Sequence, residues 1–99
     1  MSFDDIVRLG LSVGFQADSA YQMARIAWRE SKGNPKAVAI VAKGIPGRTL
    51  PERSFGLWQV NVLAFPQYDE QLLQDPEYNA QAAYALSKGG TDLRPWRVR

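Results

Sequence analysis

A small, mainly α-helical single domain is the fold class this sequence predicts, with a loop or short hairpin set among the helices. Two observations carry that expectation. The stretches 1–14, 18–35 and 72–90 combine helix start and stop residues with apolar positions recurring every three or four residues. Between the second and third lies KGIPGRTLPER (43–53), whose glycines and prolines exclude a helix. The 99 residues fit one domain, 1–99, near the lower end of the usual size range. An apolar fraction of 45%, with three Trp, four Tyr and four Phe, is enough to build a core.

The first helix, MSFDDIVRLGLSVG, starts at Ser2, which can cap it with Asp5 as capping-box partner. Phe3, Ile6, Leu9 and Val13 form its apolar stripe. Gly10 weakens it by about 1 kcal/mol relative to alanine, and Gly14 is expected to end it. Packing is its job.

The second helix, DSAYQMARIAWRESKGNP (18–35), is the central one. Asp18 is a suitable N-cap, because a carboxylate accepts from the free N–H groups of the first turn. Gly33 and Pro35 stop the helix, one by allowing a left-handed residue and the other by lacking an N–H. Ala20, Met23, Ala24, Ala27 and Ile26 make the buried stripe, and the next position on it is Glu30. A carboxylate on an inward face is costly unless it is paired, hydrogen-bonded or protonated. Burial and the negative end of a helix both favour the protonated form of a carboxyl, and a carboxyl that keeps its proton is a suitable general acid. The alternative is that Glu30 turns outward near the helix end and pairs with Lys32 or an arginine.

After this helix, residues 37–42 form a short apolar run that suits one helical turn or a strand. The loop 43–53 leads into SFGLWQVNV (54–62). Gly56 permits a turn or the close approach of another backbone. Trp58 offers a flat face with an N–H, and Gln59 and Asn61 offer amides, a combination that suits sugars. Equally, Trp58 can simply fill the core. The third helix lies in LLQDPEYNAQAAYALSKGG (72–90): Asp75 is the N-cap, Pro76 the first helical residue, and Gly89 and Gly90 the stop. Asn79 shares a face with Ala82, Ala83 and Leu86, so it points inward and needs partners. The Glu30 carboxyl, a bound amide or nearby backbone can supply them. Trp96, in the short basic tail, is placed to cover the core.

Missing residues exclude whole classes of chemistry. Without cysteine there are no disulfides, thiolate metal sites or cysteine nucleophiles, and without histidine there is no Ser-His-Asp triad or histidine-bound zinc. No metal and no cofactor is therefore expected, and P-loop, dinucleotide and EF-hand motifs are absent. Glycoside cleavage is the large reaction class that runs on carboxylates and amides alone. No apolar run spans a membrane and no signal peptide opens the chain, so membrane insertion is not expected. A net charge of +2 suits an acidic polymer such as a cell wall. No helix is dense enough in Arg and Lys to predict nucleic-acid binding.

Taken together, Glu30-Ser31 at a helix end, Asn-Pro-x-Ala-Val (34–38), Ser-Phe-Gly-Leu-Trp-Gln-Val-Asn (54–61) and Asp-Pro-x-x-Asn-Ala (75–80) resemble the lysozyme-like lytic transglycosylase family over about residues 18–96. The branch most like it is the goose-type and phage-associated one, whose central motif reads Gly-Leu-Trp-Gln. The resemblance implies an α+β lysozyme-like fold acting on peptidoglycan glycan strands. It implies that Glu30 protonates the oxygen between N-acetylmuramic acid and N-acetylglucosamine. It also implies that Ser54 and Gln59 line the sugar cleft, that Gly56 and Leu57 shape the turn beside the acid, and that Asn79 faces the acid. The expected place of action is the bacterial cell wall, for a secreted or virion-associated protein. The chain departs from the family in lacking the Ala-Tyr-Asn segment that often follows the asparagine-bearing helix. Inverting hydrolysis needs a second carboxylate roughly 6.5–9.5 Å from the acid, and Glu52, Asp69 and Glu70 are the candidates. With only Glu30 in a defined motif, a transglycosylase outcome is favoured over hydrolysis. The competing expectation is a non-catalytic wall-binding or structural module of a larger virion or secretion assembly, against which the retained Glu30 argues.

Overall fold

A computed structural model describes residues 1–42 and 51–97. Helix α1 (Phe3–Val13) begins with the expected capping box: the Ser2 hydroxyl accepts from the Asp5 N–H, and the Asp5 carboxylate accepts from the Ser2 N–H. It ends at Gly14, in the left-handed conformation at φ 119°. Gly10 does more than weaken this helix. It is buried, and a Cβ there would touch the Ala20 side chain at 3.4 Å, so its missing methyl lets α1 lie close against the next helix.

Helix α2 (Ala17–Ser31) starts one residue before the expected cap. Gln16 holds the extended cap position without a side-chain bond, and Asp18 lies inside the first turn, accepting from the Ser19 N–H. Burial of Phe15 between Gly10 and Tyr84 fixes where the chain enters the helix, and that packing outweighs the roughly 1 kcal/mol a side-chain cap contributes. Ala20, Met23, Ala24, Ile26 and Ala27 are buried, as their spacing predicts. Lys32 and Gly33 are both left-handed, at φ 55° and 79°, and this breaks the helix directly after Glu30 and Ser31.

The apolar run after α2 is a strand, β1 (Val38–Val41). Residues 43–50, most of the expected loop, lie outside the described residues. The end of that stretch opens β2 (Glu52–Phe55), and β3 (Val60–Asn61) completes an antiparallel sheet in the order β1-β2-β3. Ala39 stands opposite Ser54, and Phe55 opposite Val60. SFGLWQVNV therefore splits into a strand end, a four-residue turn and a strand start.

Helix α3 (Pro76–Leu86) is capped as expected, with the Asp75 carboxylate accepting from the Tyr78 N–H. It stops at Leu86, earlier than the glycines that were expected to end it. Gly90 instead packs on Ser19, where a Cβ would lie 2.9 Å from the serine side chain. A short 3-10 turn (Arg94–Trp96) then brings Trp96 into the core.

Two clusters make that core. One unites Ile6, Met23, Ala27, Leu57, Trp58, Ala83 and Trp96 between the helices; the other joins Phe55, Val60, Leu73 and Ala82 at the sheet. The turn between β2 and β3 sends Leu57 and Trp58 into the first cluster while its flanking residues anchor the second. The result is the expected mainly helical α+β domain with a small antiparallel sheet. Among the described residues, no helix is long and apolar enough to cross a membrane.

Candidate active site

Glu30 sits in the last turn of α2 with its side chain only 10% exposed. Its Oε2 lies 3.5 Å from the Nε of Arg29. The two sequence readings of this residue are thus combined: the carboxyl faces inward, and it has an arginine beside it. Arg29 is itself held at the other end, donating from its terminal nitrogen to the Trp96 carbonyl at 3.2 Å.

The turn at residues 56–59 is tied to the same helix. The Trp58 indole N–H donates to the Met23 carbonyl at 2.8 Å, two helical turns before Glu30. From the other side, the Trp96 indole donates to the Trp58 carbonyl at 2.7 Å. Gly56 takes φ 83°, and a Cβ there would collide with the Asn79 amide and the Leu73 carbonyl. Gln59 is also left-handed, at φ 50°, a conformation that costs a non-glycine residue about 1–2 kcal/mol. Its side-chain amide donates to the carbonyls of Ala37 and Gly56, each at 3.0 Å, and so fastens the turn to the segment that follows α2.

Asn79 faces inward as its place on α3 predicts, and backbone supplies its partners. Its oxygen accepts from the Trp58 N–H at 2.9 Å, and its amide donates to the carbonyls of Phe55 and Leu73. Ser54, Leu57 and Asn79 are all fully buried, and Gln59 is 4% exposed. Together these bonds fix the turn at residues 56–59 against α2, against α3 and against the segment that follows α2.

All three candidate second carboxylates accept hydrogen bonds within the fold. Glu70 takes both its oxygens to the Nε of Arg53, at 2.9 and 2.6 Å, and this hydrogen-bonded guanidinium holds its carboxyl below the ordinary value. Asp69 accepts from the N–H groups of Gln71 and Leu72 at the start of a 3-10 turn. Glu52 accepts from the buried Ser54 hydroxyl at 2.7 Å. No cluster of potential metal ligands occurs among the described residues. The sequence reading missed the Arg29–Trp96 contact. Arg29 adjoins Glu30 in the chain, but its second partner lies 67 residues away, where no spacing rule reaches.

Residues 7–98 match the protein family described as "Lysozyme like domain". The chain is a member of the lysozyme-like domain family. Domains of this lysozyme-like family are in general glycosidases or lytic transglycosylases, and their substrate is the peptidoglycan of the cell wall. No curated protein and no solved structure matches the chain.

Proposed function

We propose that this lysozyme-like domain is a muramidase that breaks the bond between N-acetylmuramic acid and N-acetylglucosamine, acting as a lytic transglycosylase with Glu30 as its one general acid and base. The observation that carries the reading is the inward, nearly covered carboxyl of Glu30 at the end of α2, the helix to which the 56–59 turn is anchored through Met23. Glu30 gives its proton to the glycosidic oxygen as the bond to C1 of the muramic residue breaks. Arg29, 3.5 Å away, offsets the negative charge left on the carboxylate. The muramic N-acetyl oxygen closes onto C1 and holds the positive charge. Glu30 then takes the proton of the C6 hydroxyl, whose oxygen attacks C1, releases the acetamido group and forms the 1,6-anhydro sugar. The engagement of Glu70 with Arg53, of Asp69 with backbone and of Glu52 with Ser54 supports this route over water activation by a second carboxylate. Gly56, Leu57, Ser54, Gln59 and Asn79 shape and fix the wall of the sugar cleft. The domain would act at the bacterial wall, reached by export or aboard a virion.

Replacing Glu30 by Gln tests the reading. The amide keeps the shape and has no acidic proton, so cleavage of purified walls should fall by roughly 10²–10⁴-fold with the circular dichroism spectrum unchanged. Activity within a few-fold of wild type would remove Glu30 from the mechanism. Mass spectrometry of the products decides the outcome of the reaction, since anhydro ends mark transglycosylation and reducing ends hydrolysis. A wild-type protein that binds walls without cutting them would be a binding module instead.

A further inference from the structure

Along one flank of α2 runs a groove of about 490 Å³ lined by Gln22, Arg25, Ile26, Arg29, Leu93, Trp96 and Arg97. Its floor is apolar: Ile26 and Trp96 are buried, and Leu93 is partly so. Its rim is cationic. Nearby Arg94 is spent on Asp92, to which it donates twice, at 2.9 and 2.8 Å. Arg29 reaches from the groove to the Glu30 carboxyl and the Trp96 carbonyl. Among the described residues, Arg25 and Arg97 have neither an ion pair nor a side-chain hydrogen bond. Two uncommitted guanidinium forks over an apolar floor make a receptor for a ligand that alternates small apolar groups with carboxylates.

We propose that this groove binds the stem peptide of peptidoglycan, with Arg25 and Arg97 taking its carboxylates and Ile26, Leu93 and Trp96 taking its alanine methyls. This rests on the reading of Glu30 as the acid, because the peptide hangs from the muramic residue whose bond Glu30 breaks. Arg29 joins the two places: one guanidinium touches the acid and borders the groove. The lysozyme-like cleft would then recognise peptide-bearing strands and pass over bare ones.

The experiment compares peptide-bearing glycan strands with the same strands stripped by an N-acetylmuramoyl-alanine amidase, using wild type and the double variant Arg25→Gln/Arg97→Gln. Wild type should prefer peptide-bearing strands by about tenfold or more in kcat/KM, chiefly through KM, and the double variant should lose most of that preference. Equal preference in both proteins, or none in wild type, overturns the proposal. A calorimetric titration with a disaccharide–tetrapeptide muropeptide reads the groove independently of turnover. Binding that weakens about tenfold or more in the double variant supports it even where the Glu30 reading fails and neither strand is cut. Undiminished binding, or binding of poly(glycerol phosphate) in place of the muropeptide, sinks it.

Discussion

At Gly56 a hydrogen stands where any other residue would place a carbon, and that position is filled on two sides. The Asn79 amide and the Leu73 carbonyl occupy the space a Cβ needs, and φ is 83°. Gly56→Ala must therefore push α3 away from the turn or twist the backbone, at a cost of about 2–4 kcal/mol. A thermal melt should show the loss, and activity should fall with it. Gln59 tests the opposite balance. Its amide ties the turn to Ala37, so Gln59→Ala loses the hydrogen bonds to the Ala37 and Gly56 carbonyls while keeping the strained backbone, and about 1–2 kcal/mol of stability should go. Turnover should drop further than the melt accounts for, because the turn then loses its tie to the segment that follows Glu30 and α2. A turnover loss no larger than the unfolded fraction would make Gln59 purely structural.

The turn between β2 and β3 is held by three elements: α2 through Met23, α3 through Asn79 and the last 3-10 turn through Trp96. Asn79→Ala leaves the Trp58 N–H and the Phe55 and Leu73 carbonyls without their side-chain partner, which should cost about 2–4 kcal/mol. Trp58→Ala should cost about 3–5 kcal/mol and unfold most of a domain this small. Paired thermal melts and turnover measurements check both, and a folded, fully active Trp58→Ala protein would displace Trp58 from the core. Such contacts divide what the sequence shows from what it conceals. The Ser2–Asp5 capping box and the Asp75 cap were legible because their partners lie three residues away. So was the burial of Met23, Ala24 and Ala27, which needs only helical period. For Asn79 the inward direction was readable from α3. Its partners at Leu73, Phe55 and Trp58 were not, being fixed only once the helix and the hairpin meet. The Asp18 cap failed for the same reason, since the burial of Phe15 moved the helix start.

Among the described residues, several carboxylates are held by arginines close to them. Asp5 is held below its ordinary value by hydrogen bonds from the Ser2 backbone and Arg8, Glu70 by Arg53, and Asp92, the most strongly shifted, by Arg94. In each the folded form prefers the ionised carboxylate, so the stability it adds is present above the unfolded value of about 4 and is lost as pH falls through the lower folded value. Melting temperature should therefore stay level from neutrality to about pH 5 and decline below about pH 4. Asp92→Asn should melt lower than wild type at neutral pH and converge with it in acid. The gap should shrink in high salt, because these pairs are exposed to solvent. A gap that widens as pH falls contradicts the assignment.

The order in which the ties on Trp58 become available has a consequence for synthesis. Met23 precedes the tryptophan, whereas Asn79 and Trp96 follow it by 21 and 38 residues. A chain growing from its N-terminus makes α2 first, yet leaves the turn at residues 56–59 without the other two ties until Asn79 and Trp96 have been added. A nascent chain therefore completes α2 well before the turn that is tied to that helix can be fully fixed.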